Sequence, residues 1–156
     1  MKTFVKLVAL VAAFSAPLSF AQNDAAKKPA EEAHAYTAKT PKLNRAQVDS
    51  WLAKPDKVVF IDLRRPDELT AIGGLPVYLS IQSKELENNI AYIPKDRSVI
   101  TISNHAGRAG KGADLLASKG LKVVGAVGVQ DYEAEGGTLI KITKPEKKPT
   151  DAAAQK

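Results

Sequence analysis

Val58-Val59-Phe60-Ile61-Asp62-Leu63-Arg64-Arg65-Pro66-Asp67-Glu68-Leu69 is the stretch whose reading decides the fold. Its first four residues are a continuous apolar run, the pattern of a strand buried on both faces. The run ends on Asp62. Pro66 then opens a short helix over Asp67 to Ala71, because its fixed φ and missing N–H suit the first helical position. A buried strand followed at once by a helix is the first half of a parallel βα unit.

The same alternation extends to both sides. Before the strand, Asn44 is placed to cap a helix running to about Ala53, with Val48, Trp51 and Leu52 on one face. After it come a turn at Gly73-Gly74-Leu75-Pro76, a short strand at Val77-Tyr78-Leu79, and a helix from Ser83 with Leu86 and Ile90 four apart. Ser98 to Ile102 is a second buried strand. A helix from Ala109 to about Lys119 follows, with Ala109, Ala113 and Leu116 on one face and Gly120 as its cap. Val123-Val124 is a strand, and Val129 to Glu135 a last short helix. Strands alternating with helices of this length require right-handed crossovers and a small, mostly parallel sheet covered by helices on both faces.

Outside this core the composition changes. Met1 to Ala21 has the parts of a secretory signal: Lys2 and Lys6, the apolar run Leu7 to Phe14, Pro17, and small residues at Ser19 and Ala21. The apolar stretch is too short to span a bilayer, which takes ~20 residues. Residues 22–42 and 143–156 are rich in Ala, Lys, Glu and Pro, and read as a disordered leader and a disordered basic tail around a domain at 43–142. The formal charge of +6 belongs to these ends, since Leu43 to Ile140 holds 12 basic and 12 acidic residues. Nucleic acid is therefore not an expected partner, and no stable membrane anchor is expected. The chain contains no cysteine, so neither a disulfide nor a thiolate is available to it. Two histidines and no cysteine make no metal site, and no cofactor is implied.

In an open parallel sheet, ligands bind beyond the carboxyl ends of the strands. One such end is Asp62-Leu63-Arg64-Arg65. The other is Ser103-Asn104-His105-Ala106-Gly107-Arg108, leading into the helix at Ala109. A tight loop at a helix start turns N–H groups toward one point, Gly107 allows an unusual backbone angle, and Arg108 adds a fork of donors. The candidate anion-binding set is therefore Ser103 to Ala109, with a small oxyanion as its ligand. A plain strand-to-helix connection and an ion pair for Arg108 are the alternatives. Arg64 and Glu68 have the spacing of an ion pair across the turn, and Asp62, Arg64 and Glu68 read as structural. Ser103, His105 and Asp62 are the ingredients of a nucleophilic triad, although Ser103 and His105 on one tight loop tend to diverge.

From Val58 to Leu139 the chain resembles the rhodanese-like domains. Asp62-Leu63-Arg64-Arg65-Pro66-Asp67-Glu68-Leu69 is similar to the family's Asp-x-Arg-x-Pro-x-Glu-aromatic segment, and Gly73-Gly74-Leu75-Pro76 to its Gly-His-Ile-Pro turn. Arg108 with the helix after it, and Gly128 to Gly136 with Tyr132 in a tryptophan position, complete the match. The resemblance implies a three-layer α/β fold and a catalytic cysteine at position 103, where this chain has serine. Its loop has the sulfurtransferase length, four residues between Ser103 and Arg108; related phosphatases carry one more. A serine hydroxyl cannot carry a persulfide. Ala106 and Ala109 depart from the glycine and the serine or threonine usual in the family's loop. The expectation is an exported, periplasmic, non-catalytic binding or interaction module, with an unidentified protein partner or an oxyanion or sulfur compound as ligand. A hydrolase or transferase acting through Ser103 and an accessory subunit of a periplasmic enzyme are the alternatives. The exported protein should have the mass of a chain starting at Gln22; soluble exported protein with an intact Met1 end would refute the cleavage.

Overall fold

The computed structural model describes residues 35–142. In chain order they form helix α1 (Arg45–Leu52), strand β1 (Val58–Asp62), α2 (Pro66–Ile72), β2 (Leu79–Ser80), a 3₁₀ helix (Glu87–Tyr92), β3 (Ser98–Ser103), α3 (Ala106–Ser118), β4 (Val123–Gly128) and α4 (Val129–Ala134). The four strands make one sheet in the order β2-β1-β3-β4, and every pairing is parallel. Alternation along the strands sends Phe60, Ile100, Ile102 and Val127 to one face, under Val48 of α1 and Val129 and Tyr132 of α4. Ile61 and Val99 go to the other face, under Leu116 of α3 and Leu86. The expected α/β class, three layers around a parallel sheet, is what the chain forms.

Local chemistry explains where elements start and stop. Asn44 and Gln47 form a reciprocal capping box at α1, each side-chain oxygen accepting the other's N–H at 3.0 Å. Gly120, at φ 85°, ends α3 as expected. Three elements differ from the sequence reading. The strand placed at 77–79 begins only at Leu79, because the bend at Pro76-Val77 holds the chain off β1 until then. The helix placed from Ser83 is a turn followed by 3₁₀ structure, and the Asn89 side chain there donates to the Glu85 carbonyl at 2.8 Å. The third helix starts at Ala106 rather than Ala109, so Ala106, Gly107 and Arg108 are helical and Gly107 needs no positive φ.

The assigned leader also meets the fold. Residues 22–34 and the tail 143–156 lie outside the described residues, but 35–42 pack against the domain. Pro41 and Leu43 bracket Ala126 of β4, accepting its N–H at 3.0 Å and donating to its carbonyl at 2.9 Å. The Asp114 carboxylate on α3 takes the N–H groups of Lys39 and Thr40 and the Thr40 hydroxyl at 2.8–2.9 Å, and these bonds lower its pKa. Tyr36 lies over Gly110, where a Cβ would stand 2.6 Å from Ala38 Cβ and 2.7 Å from the Tyr36 ring. This strap was hidden in the sequence because its own composition is that of a leader; its partners are a glycine and an aspartate 70 residues and more away.

Two glycines of α3 should respond oppositely to alanine. At Gly107 a Cβ would meet nothing within 4 Å, so Gly107→Ala should raise stability by up to about 1 kcal/mol through helix propensity. At Gly110 the same change should dislodge the strap and speed amide exchange at Lys39 and Thr40. Unchanged exchange in Gly110→Ala would contradict the packing.

Candidate functional site

β3 ends on Ser103, and the chain enters α3 three residues later, at Ala106. The Ser103 side chain does not face solvent: the residue is 1% exposed. Its hydroxyl donates to the His105 carbonyl at 2.5 Å and accepts the Ala109 N–H at 2.9 Å. It therefore bridges two backbone groups of the first helical turn, and helix can form through Ala106, Gly107 and Arg108. Thr101 on the same strand donates to the Ala109 carbonyl at 2.8 Å, so Ala109 is held from both sides.

The charged residues follow a different pairing from the one the sequence suggested. Arg64 does not reach Glu68. It turns inward and pairs with Asp62, both side chains fully buried: Asp62 Oδ1 accepts the Arg64 N–H and Nε at 3.0 Å, and Oδ2 accepts Nη2 at 2.8 Å. Two residues along an extended segment share a side, which brings these side chains together. The Arg65-Pro66 turn carries Glu68 elsewhere. From the third position of α2 its carboxylate accepts the Arg65 N–H at 3.0 Å, reaching back over the helix start. The same carboxylate takes both arms of Arg108, at 2.6 and 3.0 Å, and Asn104 Nδ2 at 2.8 Å. The Arg108 fork holds Glu68 down to a pKa of about 2 against the cost of burial, with the Arg65 N–H assisting. Arg108 is thus a structural ion pair, and its donors do not converge on the helix start.

His105 lies at the N-cap of α3 with its ring half exposed. Nδ1 is 3.1 Å from Asp131 Oδ1, and Lys42 from the strap holds Asp131 Oδ2 at 2.8 Å. Burial pushes the Asp131 carboxyl up, but Lys42 and His105 together outweigh it and leave the pKa lowered. Close approach permits this: a Cβ on Gly128 would stand 2.6 Å from Asp131 Oδ2 and 2.8 Å from the Ala106 nitrogen. Asp131 and Lys42 were not identified as site residues; the one available signal was an acidic residue in the first turn of a helix that follows a strand end.

The triad is not assembled. Ser103 donates to a carbonyl, His105 is aimed at Asp131, and Asp62 is committed to Arg64. The candidate anion set is brought to one strand end, but its donors are divided. Ser103 and Arg108 bond within the protein, Ala106 and Ala109 are buried, and Gly107 and the His105 ring face outward. Asn104 contributes a buried Oδ1 without a partner, an acceptor rather than a donor. Among the described residues no three His, Cys, Asp or Glu side chains group as a metal site.

No protein-family model and no curated sequence matches the chain. Solved structures do. A rhodanese-related protein from Thermoplasma volcanium is 22% identical, with a TM-score of 0.58 over 65% of this chain and 99% of that one. A Rhodopseudomonas palustris protein of unknown function, described as a possible tyrosine phosphatase, is 22% identical with a TM-score of 0.59, over 65% and 85%. A rhodanese-like domain protein from Staphylococcus aureus is 17% identical with a TM-score of 0.53, over 60% and 91%. The likeness is one of fold: the chain has a rhodanese-like α/β fold. It contains no cysteine, and a buried serine stands at the end of β3.

The two ion pairs should differ in weight. Arg64→Ala leaves Asp62 fully buried without its counter-charge and should cost about 3–5 kcal/mol. Arg108→Ala should cost less at pH 7, up to about 3 kcal/mol, the value of moving a carboxyl from about 2 back to 4.5. Because the folded pKa of Glu68 is the lower one, its stabilisation is complete above pH 4.5 and is lost as pH falls toward about 2. The wild-type advantage over Arg108→Ala should therefore shrink across that window in urea unfolding. A pH-independent difference would contradict the pairing.

Proposed function

We propose that this chain is a non-catalytic binding module on the rhodanese-like fold, exported to the periplasm. The observation that carries the reading is the Ser103 hydroxyl, buried, donating to the His105 carbonyl and accepting the Ala109 N–H. A buried hydroxyl whose proton is committed to a backbone carbonyl is shielded from a substrate and has no base to take that proton. The neighbouring polar side chains are likewise tied down by Glu68 and Asp131.

The module's oxyanion contact is confined to what still faces outward at the start of α3, the His105 ring and the exposed Gly107. A 13-residue helix with its positive end at this point favours an anion, and protonated His105 would add to it. Without the Arg108 fork the contact is weak, on the order of millimolar.

The test combines chemistry with binding. Sulfur transfer from thiosulfate to cyanide should stay at background for wild type and for Ser103→Ala alike; a rate lost in the variant would overturn the non-catalytic reading. In Ser103→Cys the thiol should titrate at or above the ordinary ~8.5, since it inherits a buried position. Sulfate should raise the melting temperature above a chloride control of equal ionic strength, with the effect reduced in His105→Ala. No sulfate-specific rise would remove the anion from the function and leave protein binding.

A further inference from the structure

His105 stands apart from its neighbours at the end of β3. Ser103 and Arg108 have their polar groups bonded within the protein. The His105 side chain is 54% exposed, and among the described residues only its Nδ1 has a partner, Asp131 Oδ1 at 3.1 Å. No described group bonds Nε2.

Asp131 is held in place by its surroundings. Lys42 takes its other oxygen at 2.8 Å. The Gln130 N–H donates to the Asn104 carbonyl at 3.0 Å, which ties the first turn of α4 to the residue before His105. A Cβ on Gly128 would stand 2.6 Å from Asp131 Oδ2 and 2.9 Å from His105 Cα, so the absence of a side chain there lets carboxylate and histidine close on each other. A carboxylate paired with lysine has acceptors and no donor. Nδ1 of the neutral ring therefore carries the proton, and the lone pair is on Nε2. A carboxylate placed in this way orients an imidazole and raises the basicity of its other nitrogen.

An exposed nucleophile without walls around it suits one class of electrophile. An acyl group would need an oxyanion site, and the resulting acyl-imidazole would be lost to water. A phosphoryl group on an imidazole nitrogen persists in neutral water. Being anionic, it also meets positive charge here, from Lys42 and from the start of the 13-residue α3. Gly107 is exposed, and a Cβ there would meet nothing within 4 Å, so the first turn of α3 puts no side chain against an incoming group.

We propose that His105 is a phosphoryl acceptor, its Nε2 taking the group from a donor with a reactive phosphorus–nitrogen bond, and that Asp131 is its positioning residue. The Nε2 lone pair forms the new bond to phosphorus as the donor's P–N bond breaks. That electron pair leaves with the amine, and nothing is oxidised or reduced. The ring keeps its Nδ1 proton, so the positive charge that forms on it lies against the Asp131 carboxylate. The chain is the substrate of this step, which goes beyond reversible binding. The two are told apart by their readouts: sulfate-dependent melting reports the reversible contact, and mass the covalent one.

The probe is potassium phosphoramidate at neutral pH, applied to the exported chain. The intact mass should rise by one phosphoryl group, acid-labile and placed on Nε2 of His105 by phosphorus and proton spectra. The chain's other histidine, His34, is the internal reference, and His105 should react at least about tenfold faster, the scale of effect of an orienting carboxylate. Nitrogen spectra of the untreated chain should show the proton on Nδ1. Asp131→Ala should move it to Nε2 and slow the modification by about tenfold. No phosphoryl group on His105, one on its Nδ1, or equal rates at His105 and His34 would each overturn the proposal. So would a proton on Nε2 in wild type, or an Asp131→Ala variant that reacts as fast. The reference histidine and the wild-type tautomer decide the matter even if that variant does not fold.

Discussion

Glu68 is the point on which the strand ends of this domain are organised. One carboxylate, projecting from the first turn of α2, accepts from the Arg65 N–H beneath it and from Asn104 and Arg108 across the β1–β3 boundary. It therefore ties the start of one helix to the loop before another. From the first turn of α3, Arg108 places both arms of its guanidinium on this carboxylate. Once Arg108 is bound in this way, the loop loses the cation that would otherwise meet a ligand. The same contact that ties α2 to this loop thus engages both arms of the loop's own arginine.

The burial of Ser103 follows the same logic at shorter range. Its hydroxyl is small enough to sit between the Ala109 N–H and the His105 carbonyl, replacing a backbone contact in the first turn of α3. Ala106 and Ala109 are both buried, so the turn closes tightly over the strand end. The serine at the end of this parallel strand is thereby part of the helix start, its hydroxyl held between two backbone groups.

Much of this was legible in the sequence, and the parts that were not have physical reasons. The apolar runs at Val58 and Ser98 marked the buried strands, since only strands covered on both faces lack alternation. Pro66, Asn44 and Gly120 marked helix ends through their own backbone chemistry. Pairing was less legible. The spacing of Arg64 and Glu68 fits an ion pair, yet Asp62 stands closer to Arg64 on the same side of an extended segment, and spacing alone does not rank two carboxylates. The strap over Gly110 and Asp114 was invisible because its order comes from contacts 70 and more residues distant. The anion loop was read as a loop because Gly107 suggests a turn, whereas a first helical turn tolerates a glycine at some cost in propensity.

The bonds of Pro41 and Leu43 to Ala126 also bear on polymerisation. A sheet with two bare edges can add copies of itself without limit, each new strand offering a fresh template. Here the chain's own Pro41 and Leu43 take the N–H and the carbonyl of Ala126, so β4 offers no template at that position.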